Sequence, residues 1–263
     1  MSEQKKVIWI TGASSGIGAA LAKAYCKTGA QLIISARSEE KLLEIKESCS
    51  DSEDVTILPL DLAKPHTFEE LVKKAWELND GIDLIINNAG ISQRSLAIDT
   101  GIDVDRKLME INYLGTVALS KALLPYFMER KKGHIAVVTS LVGKFGSPYR
   151  TGYSASKHAL HGFFDSLRAE LHEFNIDVSL ICPGYIATNV SVNALTGDGS
   201  PLGTMDEATA KGLHPDICAQ KIIKGLNKKK EEFYVGGKET YAVYIKRFFP
   251  GLFSKILNKA SVR

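Results

Sequence analysis

The sequence predicts an α/β protein built on one doubly wound parallel sheet of about seven strands, with helices on both faces. Short apolar runs recur along the chain and alternate with segments long enough to form helices. Because these runs are apolar throughout, we expect strands that are buried on both faces, as in a parallel sheet. In such sheets, ligands bind beyond the carboxyl ends of the strands.

Seven segments are predicted strands. They are VIWIT at 7–11, LIIS at 32–35, VTIL at 55–58, LIIN at 84–87, IAVVTS at 135–140, VSLIC at 178–182 and EFYV at 232–235. Crossover helices join them, and the clearest helix carries apolar residues at helical spacing: Leu160, Phe163, Phe164, Leu167, Leu171 and Phe174. We find no linker or repeat, so residues 1–263 are expected to form a single domain.

The bulk composition argues against several classes of protein. A net charge of +3 is too small to indicate nucleic-acid binding. No apolar run approaches the roughly 18 residues of a membrane-spanning helix, and the amino-terminal run leads to no cleavage site. Four separated cysteines without a C-x-x-C pair predict neither a disulfide framework nor a zinc knuckle. A reducing compartment, and therefore a cytoplasmic protein, is the expectation.

A glycine-rich turn directly follows the first predicted strand. Gly12, Gly16 and Gly18 have the spacing G-x-x-x-G-x-G and open a helix. Such a turn lets the backbone approach a pyrophosphate, whose charge is met by free N–H groups and the positive end of the helix dipole. The alternative is a tight turn without a ligand. The strand, turn and helix context favours dinucleotide binding.

The end of the second strand bears on the choice of dinucleotide. An acidic residue there would bind the ribose of NAD, but the sequence has Ala36 and Arg37. A guanidinium can hold a phosphate through two N–H groups, so NADP is favoured over NAD. The alternative is a solvated arginine at a helix start, and nearby Glu39 and Glu40 weaken the electrostatic case.

Several separated segments together resemble the short-chain dehydrogenase/reductase family. They are TGASSGIG at 11–18, Asp61-Leu62, NNAG at 87–90, Asn112, Ser140, Tyr153 with Lys157, and Pro183-Gly184 followed by Thr188. From residue 90 onward, and at 190–206, the chain is most similar to the hydroxysteroid-dehydrogenase-like and dehydrogenase/reductase member 7 branch. Relatives there often carry an amino-terminal membrane anchor. This chain begins directly at the first predicted strand, so their membrane placement is not expected here.

The resemblance implies a set of cofactor-binding residues. By family pattern they are Gly12, Ser14, Ser15, Gly16, Ile17, Gly18, Arg37, Asp61, Leu62, Asn88, Ala89, Gly90, Tyr153, Lys157, Pro183, Gly184, Ile186 and Thr188. It places Asp61 by the adenine ring and Thr188 by the nicotinamide amide. Asn87 and Ala89 would support the central strand and the cofactor.

Tyrosine precedes lysine by four positions twice in the chain. Tyr153 and Lys157 open the helix with the apolar stripe, so their side chains should share its packed face. Between Tyr234 and Lys238 stand Val235 and two glycines, a poor helix, and that pair has no reason to converge. The first pair is therefore the candidate for proton transfer.

Proton transfer by a phenol near neutral pH requires a lowered pKa. We expect the Lys157 ammonium, one turn away, to stabilise the Tyr153 phenolate. Ser140 ends the fifth predicted strand, where its hydroxyl can hold the substrate oxygen; alone, a serine there is usually a cap residue. Asn112 is costly inside a helix unless its amide has a task. By resemblance, Asn112 holds a water that relays protons to Lys157, and Lys157 also binds the nicotinamide ribose.

These residues predict NADP(H)-dependent interconversion of a carbonyl and an alcohol, with Asn112, Ser140, Tyr153 and Lys157 as the catalytic set. The alternative is a catalytically silent NADP(H)-sensing protein of the same fold. No metal is expected, because His158, His161 and His172, predicted on one helix, lack an evident further ligand. A homo-oligomer, dimer or tetramer, is also expected, with no nucleic-acid partner.

Two segments are predicted to meet other molecules. The irregular insertion at 184–215 and the loop at 91–98 should cover a moderately hydrophobic ketone or aldehyde, beside an apolar wall of Leu141, Val142, Phe145 and Tyr149. The tail at 241–263 has five basic residues, no acid and many apolar side chains. It could lie on an anionic membrane surface, or its apolar face could pack on protein.

Overall fold

The computed structural model describes residues 5–78 and 81–259, so the first four residues and 260–263 of the tail, including Arg263, lie outside the described residues. Seven strands form one sheet. They are β1 (Val7–Thr11), β2 (Gln31–Ser35), β3 (Val55–Ile57), β4 (Leu84–Asn87), β5 (Gly133–Val138), β6 (Ile176–Pro183) and β7 (Glu232–Val235). All neighbours pair in parallel in the order β3-β2-β1-β4-β5-β6-β7. The predicted doubly wound parallel sheet is confirmed.

Helices follow the strands and cover both faces of the sheet. They are α1 (Gly16–Cys26), α2 (Glu39–Glu47), α3 (Phe68–Leu78), α4 (Ile102–Met109), α5 (Thr116–Arg130), α6 (Thr151–Glu170), α7 (Glu207–Ala210), α8 (Pro215–Asn227), α9 (Tyr241–Phe248) and α10 (Pro250–Leu257). A π-helical segment, Glu110–Gly115, joins α4 to α5.

Successive side chains of each strand point to opposite faces of the sheet, where they enter two different cores. Ile8 and Ile10 of β1 face a core shared with α1, α2 and α8, whereas Trp9 faces a core shared with α3, α5 and α6. Both cores are closed, which explains why the strands read as continuous apolar runs. The strand order reverses between β1 and β4, and the cleft beyond their carboxyl ends is therefore the expected ligand site.

One predicted strand is displaced by two residues. β5 begins at Gly133 and ends at Val138, whereas the apolar run predicted 135–140. Gly133 and His134 pair with the start of β6, and the buried His134 ring hydrogen-bonds the Ser179 hydroxyl at 2.8 Å. A buried histidine with a distant polar partner does not belong to an apolar run, so the apolar pattern left out Gly133 and His134. Ser140 therefore lies two residues beyond the strand.

The spacing of the cysteines indicated no disulfide framework, but the structure contains a disulfide. Cys26, at the end of α1, and Cys49, after α2, are bonded, with their Cα atoms 5.8 Å apart. The two helices pack on the same face of the sheet, which brings together residues 23 positions apart. The expectation of a reducing compartment loses the support it took from the cysteines.

The tail forms two helices with two different faces. Val243 and Phe253 are buried, and Phe253 packs on Phe145 with the ring centroids 5.1 Å apart. The other face exposes large apolar side chains: Tyr241, Tyr244, Phe248, Phe249, Leu252 and Ile256. Packing on the protein is therefore observed for one face only. Among the described residues, no helix has both the length and the apolar character required to cross a bilayer.

Candidate active site

The glycine turn lies at the carboxyl end of β1. Gly12 and Gly16 have φ angles of +65° and +54°, which residues other than glycine rarely adopt. A Cβ atom on Gly12 would lie 2.8 Å from the Ala89 Cα atom, so the turn fits closely against the segment after β4. Ser15 caps α1 without a side-chain hydrogen bond, Ser14 and Ile17 are half-buried, and Gly18 lies in the first turn. The donors of this helix start fit a phosphate group.

A set of hydrogen bonds fixes the NNAG segment to that turn. The Thr11 hydroxyl accepts from the backbone N–H groups of Asn88 and Ala89 at 3.0 and 3.1 Å. The Asn88 amide donates to the Thr11 and Gly12 carbonyls at 3.0 and 3.3 Å. Asn87 is buried in β4 and donates to the Ser120 hydroxyl at 3.1 Å. These bonds order the floor of the cleft.

Arg37 follows β2, and Asp61 and Leu62 follow β3. The chain after β3 continues beside β2 through the hydrogen bond from the Leu60 N–H to the Ala36 carbonyl. Arg37 is exposed, and in the described part of the chain no carboxylate lies within ion-pair distance of it. Glu39 therefore leaves its guanidinium available. Asp61 accepts from the Ala63 N–H at 3.1 Å, and Leu62 is buried below it.

Asn112 lies in the π-helical segment and has a structural task. Its amide exchanges hydrogen bonds with the backbone of Ile91 at 2.8 and 2.9 Å and donates to the Ser156 hydroxyl at 3.0 Å. A Cβ atom on Gly90 would lie 3.0 Å from Asn112 Oδ1 and 3.5 Å from Lys157 Nζ. Asn112 and Lys157 therefore converge beside Gly90, and a π-helical turn is a common way to aim such a side chain.

Tyr153 lies in the first turn of α6, next to Ser140. The Ser140 hydroxyl is a hydrogen-bond partner of the phenol and lowers its pKa. Ser140 also accepts from the Val142 N–H at 3.3 Å and approaches the Pro183 carbonyl at 3.4 Å. Ser140 and the phenol therefore interact in this structure. The predicted contact of Ser140 with a substrate oxygen stays a prediction.

Lys157 is buried one turn further along α6. Its ammonium donates to the Val138 carbonyl at 2.9 Å and lies 5.8 Å from the centre of the Tyr153 ring. Burial lowers the pKa of Lys157 to about 8, opposed by the Cys182 sulfur. The second Tyr–Lys pair does not form a helix: Tyr234 belongs to β7 and donates to Glu232 at 2.5 Å.

Burial raises the pKa of Tyr153, and the groups that lower it are Arg94, the Ser140 hydroxyl and Arg150. Lys157 lies 5.8 Å from the centre of the Tyr153 ring, and its predicted action on the phenolate stays a prediction. The two arginines that act on the phenol come from segments outside the family motifs.

The segment after β6 closes the opposite side of the cleft. Pro183 ends β6, and the Gly184 N–H donates to the Val235 carbonyl at 2.9 Å. Ile186 is buried, and Thr188 lies against the glycine turn, since a Cβ atom on Gly16 would be 3.2 Å from its methyl group. The 184–215 insertion is only partly irregular, because it includes α7 and three isolated bridges.

Three buried charged residues in the same region were missed by the sequence analysis. Arg94, Arg150 and Asp206 are each about 5% exposed. Arg94 makes an ion pair with Asp206 at 2.6 Å, and Arg150 contacts the same carboxylate oxygen at 3.4 Å. Neighbouring Gln93 accepts from the Tyr153 N–H at 3.1 Å. No motif marks these residues, and an arginine in a loop is ordinarily read as solvated.

Most of the predicted apolar wall faces the tail. Leu141 and Phe145 are buried in a cluster with Val243 and Phe253 of the tail helices, and the half-buried Val142 packs against the same cluster. The wall prediction is therefore wrong for Leu141 and Phe145, because the tail covers them.

The histidine prediction also requires correction. His172 lies beyond α6 in a 3₁₀ turn. His161 has two potential co-ligands, Cys182 and Glu232, and their ligand atoms lie within 4.8 Å of one another. The chemistry of this cluster opposes a metal ion. The Lys144 ammonium donates to Glu232 at 2.9 Å, and burial raises the pKa of the Cys182 thiol to about 12.

Comparison with known proteins identifies a family. A family model described as short chain dehydrogenase matches residues 6–198. A similar relative is Dehydrogenase/reductase SDR family member 7B of Mus musculus, 45% identical over 257 residues that span 95% of this chain and 80% of that protein. Both matches cover most of the cleft residues described above.

Solved structures share the fold. A short-chain dehydrogenase from Streptomyces avermitilis superposes with a TM-score of 0.84 at 26% identity, over 99% of this chain and 100% of that chain. An alcohol dehydrogenase from Thermococcus sibiricus, solved with 5-hydroxy-NADP, gives 0.73 at 28% identity, over 89% and 97% of the two chains.

The buried lysine predicts a pH dependence of stability in the cofactor-free protein. Between about pH 8 and 10.5 the unfolded chain binds the proton of Lys157 more tightly than the folded chain, so this group makes folding more favourable as the pH rises. Lys157→Met removes the effect. We expect the unfolding free energy of the parent, minus that of the variant, to increase by about 2 kcal/mol from pH 7.5 to pH 10. Urea denaturation at each pH measures both free energies.

The exposed Lys107, substituted by Met, is the control and should leave the pH dependence of the parent unchanged. A constant stability difference between the parent and Lys157→Met across this range would contradict the burial of a charged lysine here.

Proposed function

The chain belongs to the short-chain dehydrogenase/reductase family, in its dehydrogenase/reductase member 7 branch, and we propose that it is an NADP(H)-dependent oxidoreductase that interconverts a carbonyl and an alcohol. One observation carries the proposal. The phenol of Tyr153 meets the Ser140 hydroxyl in a cleft whose floor is the glycine turn, with Asn112 and Lys157 converging beside Gly90. A binding protein without turnover has no need for this convergence.

The glycine turn and its surroundings fit a dinucleotide. Free N–H groups at the start of α1 would hold the pyrophosphate, and Asp61 with Leu62 would border the adenine. Gly90, Pro183, Ile186 and Thr188 would line the nicotinamide side, next to Lys157. When bound, the nicotinamide supplies or takes up the hydride.

The chain's own residues perform the proton chemistry. In reduction, Ser140 donates a hydrogen bond to the carbonyl oxygen and Tyr153 transfers its phenolic proton to that oxygen. In oxidation, the phenolate of Tyr153 accepts the alcohol proton. Lys157 borders the cofactor and can receive the proton in turn, while Asn112 holds the backbone of Ile91 in place.

Arg37 supports the choice of NADP over NAD. It is exposed beyond β2, and none of the described carboxylates pairs with it. The 2′-phosphate of NADP would supply that partner, held through two parallel N–H groups. The substrate is proposed to be a moderately hydrophobic ketone or aldehyde, since Ile91 and Leu195 pack in one apolar cluster with Tyr153.

Substitution of the phenol tests the reaction. Tyr153→Phe should lower kcat/KM at least about a hundredfold, because general acid–base catalysis is lost while packing is kept. NADPH oxidation would be followed against a panel of ketones, aldehydes and quinones. Tyr234→Phe removes a tyrosine at the same spacing from a lysine and should retain the parent rate. Equal rates for the parent and Tyr153→Phe on a genuine substrate would refute the assignment.

A second substitution tests the cofactor. Arg37→Ala should weaken NADPH binding by about ten- to a hundredfold, because a charge-assisted hydrogen bond to the 2′-phosphate is lost. NADH binding should be nearly unchanged. Fluorescence titration with each dinucleotide measures both. Lys41→Ala, one turn away on α2, is the control for the general loss of positive charge. Equal losses for the two dinucleotides would overturn the phosphate role of Arg37.

We also propose that the exposed face of the tail contacts an anionic membrane surface. Phe248 of α9, Phe249 between the two helices and Leu252 of α10 are exposed. Lys246, Arg247 and Lys255 lie among them. Apolar side chains that enter the interface, flanked by cations, are typical of peripheral binding.

A flotation assay tests this contact. The full chain should float with vesicles that contain anionic lipid at low salt, and much less with neutral vesicles or at high salt. A Phe248→Ser, Phe249→Ser double variant should remain at the bottom of the gradient. Ile98→Ser, which changes an exposed residue outside the tail, is the control. Failure of the parent to float at low salt disposes of the proposal.

A further inference from the structure

A buried charged cluster joins three segments around the catalytic tyrosine. Arg94 of the 91–98 loop donates through Nε and NH2 to one carboxylate oxygen of Asp206 at 2.7 and 2.6 Å. Arg150, the residue before α6, reaches the same oxygen at 3.4 Å. Asp206 belongs to the 184–215 insertion and also accepts from the Thr209 hydroxyl at 3.3 Å. The cluster therefore ties the loop and the insertion to the start of α6.

Further hydrogen bonds make the connection rigid. Arg94 NH1 donates to the Ser92 hydroxyl at 2.8 Å and to the Gln93 carbonyl at 2.7 Å. The backbones of the loop and the insertion pair where the Arg94 N–H donates to the Leu195 carbonyl at 2.8 Å. The Gln93 side chain then accepts from the N–H of Tyr153. A shift of Arg94 would therefore be transmitted through Gln93 to the backbone of Tyr153.

Stability alone does not account for three buried charges. Two guanidinium groups and one carboxylate in a dry site have a high desolvation cost, and apolar residues of similar size commonly fill such sites at equal or better stability. Together the three side chains carry one net positive charge. That charge lies beside the one phenol whose ionised form the proposed reaction uses.

The electrostatic surroundings of Tyr153 favour an effect of this charge. Arg94 and Arg150 lower the pKa of Tyr153, against the rise caused by burial. The first turn of α6 adds the positive end of its helix dipole. The other charged or titratable groups packed around this helix start are Asp105 on α4, Tyr185 after β6, and Lys157.

We propose that Arg94, with Asp206 and Arg150, is a positioning group that holds the substrate loop and insertion against α6 and supplies the positive charge that keeps the Tyr153 phenol usable as an acid–base group. The proposal rests on the function proposed above for Tyr153. It assigns to the 91–98 loop a role in setting the pH range of the reaction.

Charge-changing variants of the cluster test this with opposite expected signs. Arg94→Gln removes a cation, so the Tyr153 phenolate is less stable and the phenol titrates at a higher pH. Asp206→Asn removes an anion, so the phenol titrates at a lower pH. Arg94→Lys keeps the charge and should lie near the parent. A purely structural role would reduce activity in all three without opposite shifts.

Two readouts separate this proposal from the proposed function. The first is NMR titration of tyrosine labelled with ¹³C at Cζ, with the Tyr153 signal assigned from its absence in Tyr153→Phe. The second is the pH profile of kcat/KM for alcohol oxidation, whose rising limb should move with the titration, so that Arg94→Gln loses at least about tenfold at neutral pH and recovers as the pH rises. If no substrate is found, the NMR titration still decides the role of the cluster.

An exposed ion pair of the same chemistry provides the control. Arg106→Gln and Asp103→Asn change a pair 2.9 Å apart on α4 and should move neither readout. Shifts of the same sign for Arg94→Gln and Asp206→Asn, or Tyr153 titrations that coincide with the parent, would overturn the proposal. If Arg94→Gln does not fold, the comparison of Asp206→Asn with Arg94→Lys still decides. Only in Asp206→Asn should the Tyr153 phenol titrate at a lower pH than in the parent.

Discussion

Two opposing effects act on the phenol of Tyr153, and the proposed chemistry depends on their balance. Burial raises the pKa of the phenol, while Arg94, Ser140 and Arg150 lower it. The parallel sheet makes this balance possible, since it brings the ends of β4, β5 and β6 to one edge where loops from separate parts of the chain converge. The fold thus concentrates the polar groups that no single segment could provide.

Lys157 lies one turn along α6 from the phenol. Its ammonium is buried against the Val138 carbonyl, and burial lowers its own pKa to about 8. A Cβ atom on Gly90 would lie 3.5 Å from this ammonium, which fits the place beside the nicotinamide that we propose for Lys157.

The sequence predicted the sheet well because buried parallel strands are continuous apolar runs. The segments at 7–11, 84–87 and 232–235 match β1, β4 and β7. β5 was displaced, since His134 is buried only through its bond to Ser179. The glycine turn at Gly12 and the helix start at Tyr153 were predicted as well, because glycine turns and helical spacing act locally along the chain. The role of Asn112 was implied only by the family resemblance.

What the sequence could not predict depends on contacts between distant segments. The Cys26–Cys49 bond follows from the packing of α1 on α2, and the Arg94–Asp206 pair joins residues 112 positions apart. In a sequence, an isolated arginine or aspartate is most often solvated, so burial of both becomes evident only in the fold. The tail covering Phe145 is a third case, since an apolar residue near a site can face either the ligand or the protein.

The most direct measurement is a crystal structure of the protein with NADP⁺ and an alcohol substrate. We predict that the Tyr153 oxygen and the Ser140 hydroxyl both lie within hydrogen-bond distance of the alcohol oxygen, with Arg94 still paired to Asp206. A phenol oxygen turned away from the nicotinamide, in a side chain without space to reorient, would contradict it.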